Sequence, residues 1–264
     1  MKPFEYVAYS SLRDDLGAIN TAEHFRHVGT LPFDYIKGDI RPTADGGIIM
    51  CHDGAFTLDE NGRITKPDKN NCKRILEMTT EECLRLEYGI PYGGKYCRVT
   101  DFETYISICK QSGIPPYVTV RDEEIETVAP IVLDVLEKYG LIESAIINSF
   151  TLETLKIFRR LCSESALSYV RAFRKPLERA DIENALRLQN CLVCGFHYRW
   201  NSLDQTEGKA LMQASVDALS YAASKGVKVW QAIVYDESVI AELQAFGFSG
   251  AQVRYIPSIS QRKA

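Results

Sequence analysis

The sequence lacks any apolar run close to the roughly 20 residues that a membrane-spanning helix needs. Its first residues, MKPFEYVAYSS, also lack the long apolar core of a signal peptide. Basic side chains are not in excess, because 31 lysines and arginines stand against 35 aspartates and glutamates, for a net charge of −4. We therefore expect a cytoplasmic protein with no transmembrane segment and no nucleic-acid partner.

Cysteine lacks the spacing of a disulfide framework. Eight cysteines are scattered along the chain, and several lie in apolar segments. Cys191 and Cys194 have the CxxC spacing of a zinc or redox motif, but no second pair accompanies them and they fall inside an apparent strand. For the cysteines in apolar segments we expect free, buried thiols.

What the chain does have is a regular alternation of strands and helices. Predicted strands lie at 5–9, 33–40, 48–51, 117–120, 145–148, 167–172, 191–196, 227–234 and 251–253. Predicted helices lie at 22–28, 100–110, 124–139, 152–161, 177–188, 210–225 and 238–246. Such alternation indicates parallel βαβ units, and the main strands predict an α/β fold, a (β/α)8 TIM barrel.

One segment interrupts this alternation. Residues 54–100 are too long and too polar for an ordinary strand-to-helix loop, and Thr80 opens a short amphipathic helix with a capping-box pattern. We expect a single TIM-barrel domain over residues 1–264, with a small structured insertion at about 54–100, after the strand that ends at His52 and Asp53.

The stretch from residue 33 to residue 53 is the most informative part of the chain. Two apolar strands are joined by a turn at Asp45, Gly46 and Gly47, where glycine permits positive φ. The second strand ends in His52 and Asp53, so an imidazole and a carboxylate lie together at a strand end. In a parallel barrel, strand ends are where active sites are built.

The same stretch resembles the glycerophosphodiester phosphodiesterase family, whose pattern is roughly E-x-D-v-x-x-T-x-D-G-x-x-V-x-x-H-D. The matching positions are Asp39, Thr43, Asp45, Gly46, His52 and Asp53. Weaker matches follow in the expected order at MTTEECLRL, VTDFETYI, Ser149–Phe150 and the strand VWQAIV. The resemblance covers most of the chain and implies the TIM-barrel fold.

The resemblance implies hydrolysis of a glycerophosphodiester to sn-glycerol 3-phosphate and an alcohol. The family uses two histidines for proton transfer and a divalent cation held by carboxylates. His52 matches one histidine, which makes it the candidate catalytic residue. The other belongs to an H-R-G motif whose place is taken here by Tyr9, Ser10 and Ser11.

The metal positions depart from the family pattern as well. Of three carboxylate ligands only Asp39 is retained, because Lys37 and Thr119 stand where the family has glutamate. A hard cation needs several oxygen ligands. We therefore expect no metal cofactor, with Mg²⁺ or Ca²⁺ binding only if Asp53 or Asp122 has rebuilt the site.

The replacements suggest a different site. Alternate residues of a strand face the same side, so Lys37 and Asp39 both point into the barrel mouth, where the ammonium could take the charge role of the cation. Arg121, in place of a family lysine, is a forked donor suited to phosphate, and Arg171 could add another. Our hypothesis is a metal-free anion site of Lys37, His52, Arg121 and Arg171 that binds a small phosphorylated or glycerophosphodiester ligand.

Two functions remain open on the sequence. One is a divergent phosphoric diester hydrolase that uses His52 for proton transfer. The other is a pseudoenzyme, a non-catalytic barrel that senses or carries a phosphorylated ligand. His197, Tyr198, Arg199 and Trp200 follow a strand in a region where barrels often bind phosphate, and could equally cover the core. The oligomeric state and the alcohol moiety of the ligand have no signature in the sequence.

Overall fold

The computed structural model describes residues 3–9, 19–68, 70–92, 94–171, 175–196 and 205–254. The strands are β1 (Glu5–Ala8), β2 (Tyr35–Pro42), β3 (Ile48–Met50), β4 (Ala55–Phe56), β5 (Lys73–Arg74), β6 (Glu87–Tyr92), β7 (Lys95–Arg98), β8 (Thr100–Asp101), β9 (Pro116–Thr119), β10 (Ile146–Ser149), β11 (Ala166–Arg171), β12 (Cys191–Phe196), β13 (Val229–Val234) and β14 (Gly250–Val253). The α-helices are α1 (Ala22–Val28), α2 (Thr80–Leu84), α3 (Phe102–Ser112), α4 (Ile125–Lys138), α5 (Leu152–Leu161), α6 (Arg179–Leu188), α7 (Gln205–Lys225) and α8 (Ile240–Ala245).

Eight of these strands pair in parallel and form a closed ring. β1 pairs with both β14 and β2, β2 pairs with β9, and β9 to β14 pair in chain order. The helices outside the insertion pack their apolar faces against the strands in one large core, while a smaller cluster around Tyr117, Val170 and Trp230 fills the barrel interior. The predicted (β/α)8 TIM barrel is confirmed.

One predicted strand does not belong to the barrel. β3 runs antiparallel to the end of β2, with Ile40 opposite Met50 and Pro42 opposite Ile48, and β8 pairs with it from the other side. The reason is the short connection at 43–47, because a parallel neighbour would need a crossover of a dozen or more residues. His52 and Asp53 therefore follow a hairpin strand that rises from the barrel mouth.

The segment after this hairpin has structure of its own. It contains the antiparallel pairs β4–β5 and β6–β7 and the helix α2. A separate hydrophobic cluster that includes Ile49, Phe56, Ile75 and Met78 joins it to β3. Packing of this kind holds a long insertion in one place beside the barrel mouth.

The cap of α2 lies one residue earlier than the sequence pattern indicated. Thr79 is the N-cap, and its side chain accepts a hydrogen bond from the backbone N–H of Glu82 while the Glu82 carboxylate accepts from the backbone N–H of Thr79. Thr80 is instead the first helical residue, and its hydroxyl donates to Asp45 at 2.8 Å. The prediction of Thr80 as the cap was wrong because that hydroxyl has a partner distant in sequence.

Asp45 fastens the β2–β3 turn to the insertion. Its Oδ1 accepts hydrogen bonds from the Thr43 hydroxyl at 2.7 Å and from the backbone N–H of Thr80 at 3.0 Å. These bonds, the one from Thr43 first, lower the pKa of Asp45 to about 2. Gly47 is required beside this contact, because a Cβ there would collide with the Thr80 hydroxyl. The T-x-D-G part of the motif, which includes Thr43 and Asp45, thus stabilises the β2–β3 turn.

All eight cysteines are free, as the spacing predicted. Burial raises the pKa of both Cys191 and Cys194 to about 12, so these thiols stay protonated at neutral pH. A protonated thiol is a poor metal ligand. Within the described residues, no helix is both long and apolar enough to cross a bilayer.

The sequence predicts His24 and His27 of α1 as surface residues, and for His24 this prediction is wrong. The His24 side chain is only 2% exposed and packs edge-on against Phe25. Burial, with a smaller contribution from His27, lowers the pKa of His24 to about 4. The native state therefore favours the neutral imidazole.

This burial predicts a pH dependence of stability. Between pH 6.5 and pH 4 the unfolded chain protonates His24 while the native chain does not, so the free energy of unfolding falls as the pH falls through this window, by about 3 kcal/mol in all. Above pH 6.5 His24 is neutral in both states, so it causes no further change in the free energy of unfolding. Urea unfolding of a His24→Leu variant should show a smaller loss between pH 6.5 and pH 4, whereas His27→Gln, which removes only the smaller contribution to the pKa shift, should keep most of the native slope. Equal slopes for all three proteins would contradict the assignment.

Candidate functional site

Register between neighbouring strands gathers the candidate residues at the C-terminal end of the barrel. Asp39 of β2 lies beside Thr119 of β9, and Thr119 lies beside Asn148 of β10. A small cavity of about 50 Å³ opens there, with room for a few water molecules. Its lining residues are Tyr9, Lys37, Asp39, His52, Thr119, Arg121, Asn148, Phe150, Val170 and Gln252.

A buried ion pair forms one wall of this cavity. The Lys37 Nζ donates to Asp39 Oδ1 at 2.6 Å, and the two residues are 5% and 1% exposed. The ammonium also lies 5.1 Å from the centre of the Tyr9 ring. Burial lowers the pKa of Lys37. Burial alone would raise the pKa of Asp39, but the charge and hydrogen bond of Lys37, together with the charge of His52, outweigh it and lower the pKa. The Asp39 carboxyl therefore remains ionised at neutral pH.

Arg121 supplies a second cation. It follows β9, and its guanidinium carbon lies 4.6 Å from the centre of the Phe150 ring. Its Nε is buried and has no hydrogen-bond partner in the part of the chain that the structure describes. No carboxylate of the described residues forms an ion pair with Arg121, although the side chain lines the cavity. The guanidinium is therefore available to an anion that enters there.

His52 and Asp53 form a more exposed pair at the rim, with His52 Nδ1 2.9 Å from Asp53 Oδ1. The hydrogen bond from His52 lowers the pKa of Asp53, so the carboxylate accepts and the Nδ1 atom donates. This leaves Nε2 as the imidazole atom that can exchange a proton. Arg41 holds the segment in place by donating to the His52 carbonyl at 2.6 Å and pairing with Glu123 at 2.7 Å.

Arg171 is placed differently from the other three candidate residues. Its Nε pairs with Asp181 Oδ1 at 2.9 Å, and the guanidinium also approaches Glu178 and the Pro176 carbonyl. Arg171 is absent from the lining of the cavity and is engaged with the start of α6. The structure thus brings together Lys37, His52 and Arg121 but not Arg171. The run from His197 to Trp200 lies outside the described residues.

Sequence reasoning missed several polar residues of the site. Tyr117 donates to Asn148 Oδ1 at 2.7 Å, and Asn148 Nδ2 donates to Thr119 Oγ1 at 3.1 Å, deep in the barrel. Gln252 of β14 donates to the Tyr117 hydroxyl at 3.2 Å. Inward alternation along each strand could have found them. Asn20, which contacts Asp39, had no such signal because it precedes a helix.

The side chains of the described residues do not form a donor set that fits the family's divalent cation. Among the described residues Asp39 is the one carboxylate that lines the cavity, and an ammonium already bonds it at 2.6 Å. Asp122 accepts hydrogen bonds from Thr151 and Thr154, and Asp53 is bonded to His52. Among the described residues there is no group of three histidine, cysteine or acidic side chains that could hold a metal ion. Mg²⁺ and Ca²⁺ prefer several oxygen ligands, which this arrangement does not offer.

A charge reversal tests this conclusion. Lys37→Glu replaces the ammonium with a second carboxylate on the same strand face as Asp39, so the variant should gain affinity for Mn²⁺ in isothermal titration calorimetry. Lys37→Gln, which removes the positive charge without adding a ligand, is the matched control and should gain much less. Tight Mn²⁺ binding by the native chain, lost in Asp39→Asn, would show that the present donor set does hold a metal.

The closed barrel, with polar side chains converging at one end, defines a (β/α)8 protein whose site faces the strand ends. The glycerophosphoryl diester phosphodiesterase family model matches residues 15–198, and the chain belongs to this family. No curated protein matches the chain by sequence.

Solved structures show the same fold. A phosphodiesterase from Oleispira antarctica, in complex with the product sn-glycerol-3-phosphate, superposes with a TM-score of 0.75 at 16% identity, covering 98% of this chain and 97% of the other. Glycerophosphodiester phosphodiesterases from Parabacteroides distasonis and Thermotoga maritima give TM-scores of 0.72 and 0.66, both at 15% identity. They cover 100% and 96% of this chain, and 97% and 94% of their own.

Proposed function

We propose that the chain binds a small phosphorylated ligand, a glycerophosphoryl group, at the barrel mouth without a metal ion. The observation that carries the proposal is Arg121, whose guanidinium lines the cavity with no ion-pair partner among the described residues. An unpaired, partly buried arginine is costly unless an anion completes it. Its planar fork matches phosphate oxygens.

The charge balance of the cavity also supports an anionic ligand. Among the described lining residues, Lys37 and Arg121 contribute two positive charges and Asp39 contributes the one carboxylate. His52 can add a donor at the rim. Family membership and the product bound to the Oleispira antarctica enzyme support sn-glycerol 3-phosphate as the first ligand to test.

Replacing Arg121 tests this proposal directly. Arg121→Gln removes the forked charge and should weaken sn-glycerol 3-phosphate binding by about 10- to 100-fold, because hydrogen bonds to charged groups contribute about 1.5–3 kcal/mol each. Isothermal titration calorimetry in the presence of EDTA measures the effect.

The matched control is Arg160→Gln, an arginine on α5 that pairs with Glu126 at the surface. It should leave the affinity unchanged. Equal affinities for Arg121→Gln and the native chain, or loss of binding by the native chain in EDTA, would count against the proposed site.

A second candidate function is slow phosphodiester hydrolysis, favoured by the retained His52–Asp53 pair. Water would attack phosphorus while protonated His52 donates from Nε2 to the alcohol oxygen as its bond to phosphorus breaks, and Asp53 holds the ring. The family's second histidine is replaced by Tyr9 and its neighbours, so the attacking water has no positioned histidine base and must lose its proton to bulk solvent. A phenol with an ordinary pKa near 10 is a poor substitute at neutral pH.

This candidate makes its own prediction. Any release of sn-glycerol 3-phosphate from glycerophosphocholine should persist in EDTA and fall by about 100-fold or more in His52→Ala, while His27→Ala, a change on the distant helix α1, should keep the native rate. Turnover that requires Mg²⁺ or Ca²⁺ would contradict the metal-free reaction. The absence of turnover, with ligand binding intact, would leave binding as the function.

A further inference from the structure

Asn20 has an unusual backbone conformation directly before α1. Its φ is +64°, in the left-handed region that few residues other than glycine and asparagine adopt readily. The residue is 1% exposed, so its amide must find partners within the protein. Thr21, the next residue, caps the helix with its side chain. The helix start therefore does not need the Asn20 side chain, which is free for another task.

Both ends of the Asn20 amide contact Asp39. The carbonyl Oδ1 accepts a hydrogen bond from the backbone N–H of Asp39 at 3.1 Å, and Nδ2 donates to Asp39 Oδ2 at 3.5 Å. The other carboxylate oxygen, Oδ1, accepts from Lys37 at 2.6 Å. Asp39 is thus held at three atoms: the Asn20 amide bonds its backbone N–H and its Oδ2, and the Lys37 ammonium bonds its Oδ1. Rotation of the carboxylate would break both side-chain bonds.

We propose that Asn20 is a positioning residue: it fixes the carboxylate of Asp39, which in turn holds the Lys37 ammonium at the anion-binding cavity. The affinity measurement that tests this inference rests on the proposed function, because it presupposes that the ligand binds at the cavity. Asn20 does not line the cavity, so its effect on a bound phosphate must pass through Asp39 and Lys37.

The surroundings of Lys37 explain why such fixing is needed. Arg121 faces the same cavity with a like charge, and His52 lies at the rim. Of the residues that the structure describes, Asp39 is the one lining carboxylate that offsets them. The Tyr9 ring and the protonated thiol of Cys194 add no full charge to oppose the repulsion. An Asp39 free to rotate would let the ammonium move away from Arg121 and from the cavity.

Asn20→Gly is the variant of choice, because glycine accepts the positive φ and removes only the amide. It should weaken sn-glycerol 3-phosphate binding by about 10-fold. Asn190→Gly is the matched control: Asn190 also has a positive φ, of +39°, and its side-chain amide donates to the Glu164 carbonyl near the opposite end of the barrel. The control should bind with native affinity.

Repeating Asn20→Gly in a variant that lacks the ion pair distinguishes a positioning role of Asn20 from a purely structural one. In Lys37→Met/Asp39→Asn the ion pair is replaced by neutral side chains, while the backbone N–H of residue 39 still needs its acceptor on Asn20. If Asn20 acts through the charged pair, Asn20→Gly should have little effect on affinity in this background. If Asn20 only anchors the backbone, the same fold-change should appear in both backgrounds, and that result would overturn the inference.

Urea unfolding compares four proteins: the native chain and Lys37→Met/Asp39→Asn, each with and without Asn20→Gly. This measurement does not depend on ligand binding. Asn20→Gly should raise the unfolding equilibrium constant by a larger factor in the native background than in the neutral one. Equal factors overturn the positioning role whatever the ligand result. If the native chain fails to bind sn-glycerol 3-phosphate but the factors differ, the proposed function fails and the positioning of Lys37 by Asn20 stands.

Discussion

The buried ion pair between Lys37 and Asp39 is the contact on which the barrel mouth depends. Two charges withdrawn from water are tolerated only when they meet at short distance and their remaining atoms find partners. The 2.6 Å bond and the Asn20 amide meet both conditions. Losing one member of such a pair typically costs about 3–5 kcal/mol, because the other is left charged and unpaired. The pair therefore determines both the charge and the geometry of this wall of the cavity.

Around this pair, most charged side chains of the mouth serve the architecture. Asp45 ties the hairpin turn to the insertion, and Asp122 accepts hydrogen bonds from the start of α5. Arg41 and Arg171 pair with acidic residues of neighbouring loops and helices. Arg121 differs, since none of the described residues supplies it with a carboxylate. Because the other charges named here have partners, the proposed function assigns the ligand to the Arg121 guanidinium.

Membership of the glycerophosphoryl diester phosphodiesterase family is shown, whereas the change in its site is inferred from the resemblance. The family and the fold follow from the matched residues and from the superposed barrels. The chemistry follows from individual side chains, and here a lysine and a threonine stand at positions where the resemblance implies carboxylates. A barrel is held by its strand pairing and its core, so the residues at its mouth can change their chemistry while the scaffold persists.

The sequence by itself determined the barrel and the shared direction of Lys37 and Asp39, because both follow from local periodicity along the chain. The antiparallel course of β3, the burial of His24 and the pairing of Arg171 with Asp181 depend on neighbours far away in sequence. Asn20 reaches Asp39 across 19 residues, and no pattern near either residue predicts it. Tertiary structure alone decided which polar groups satisfy one another and which remain for a ligand, since that depends on distances between separate elements.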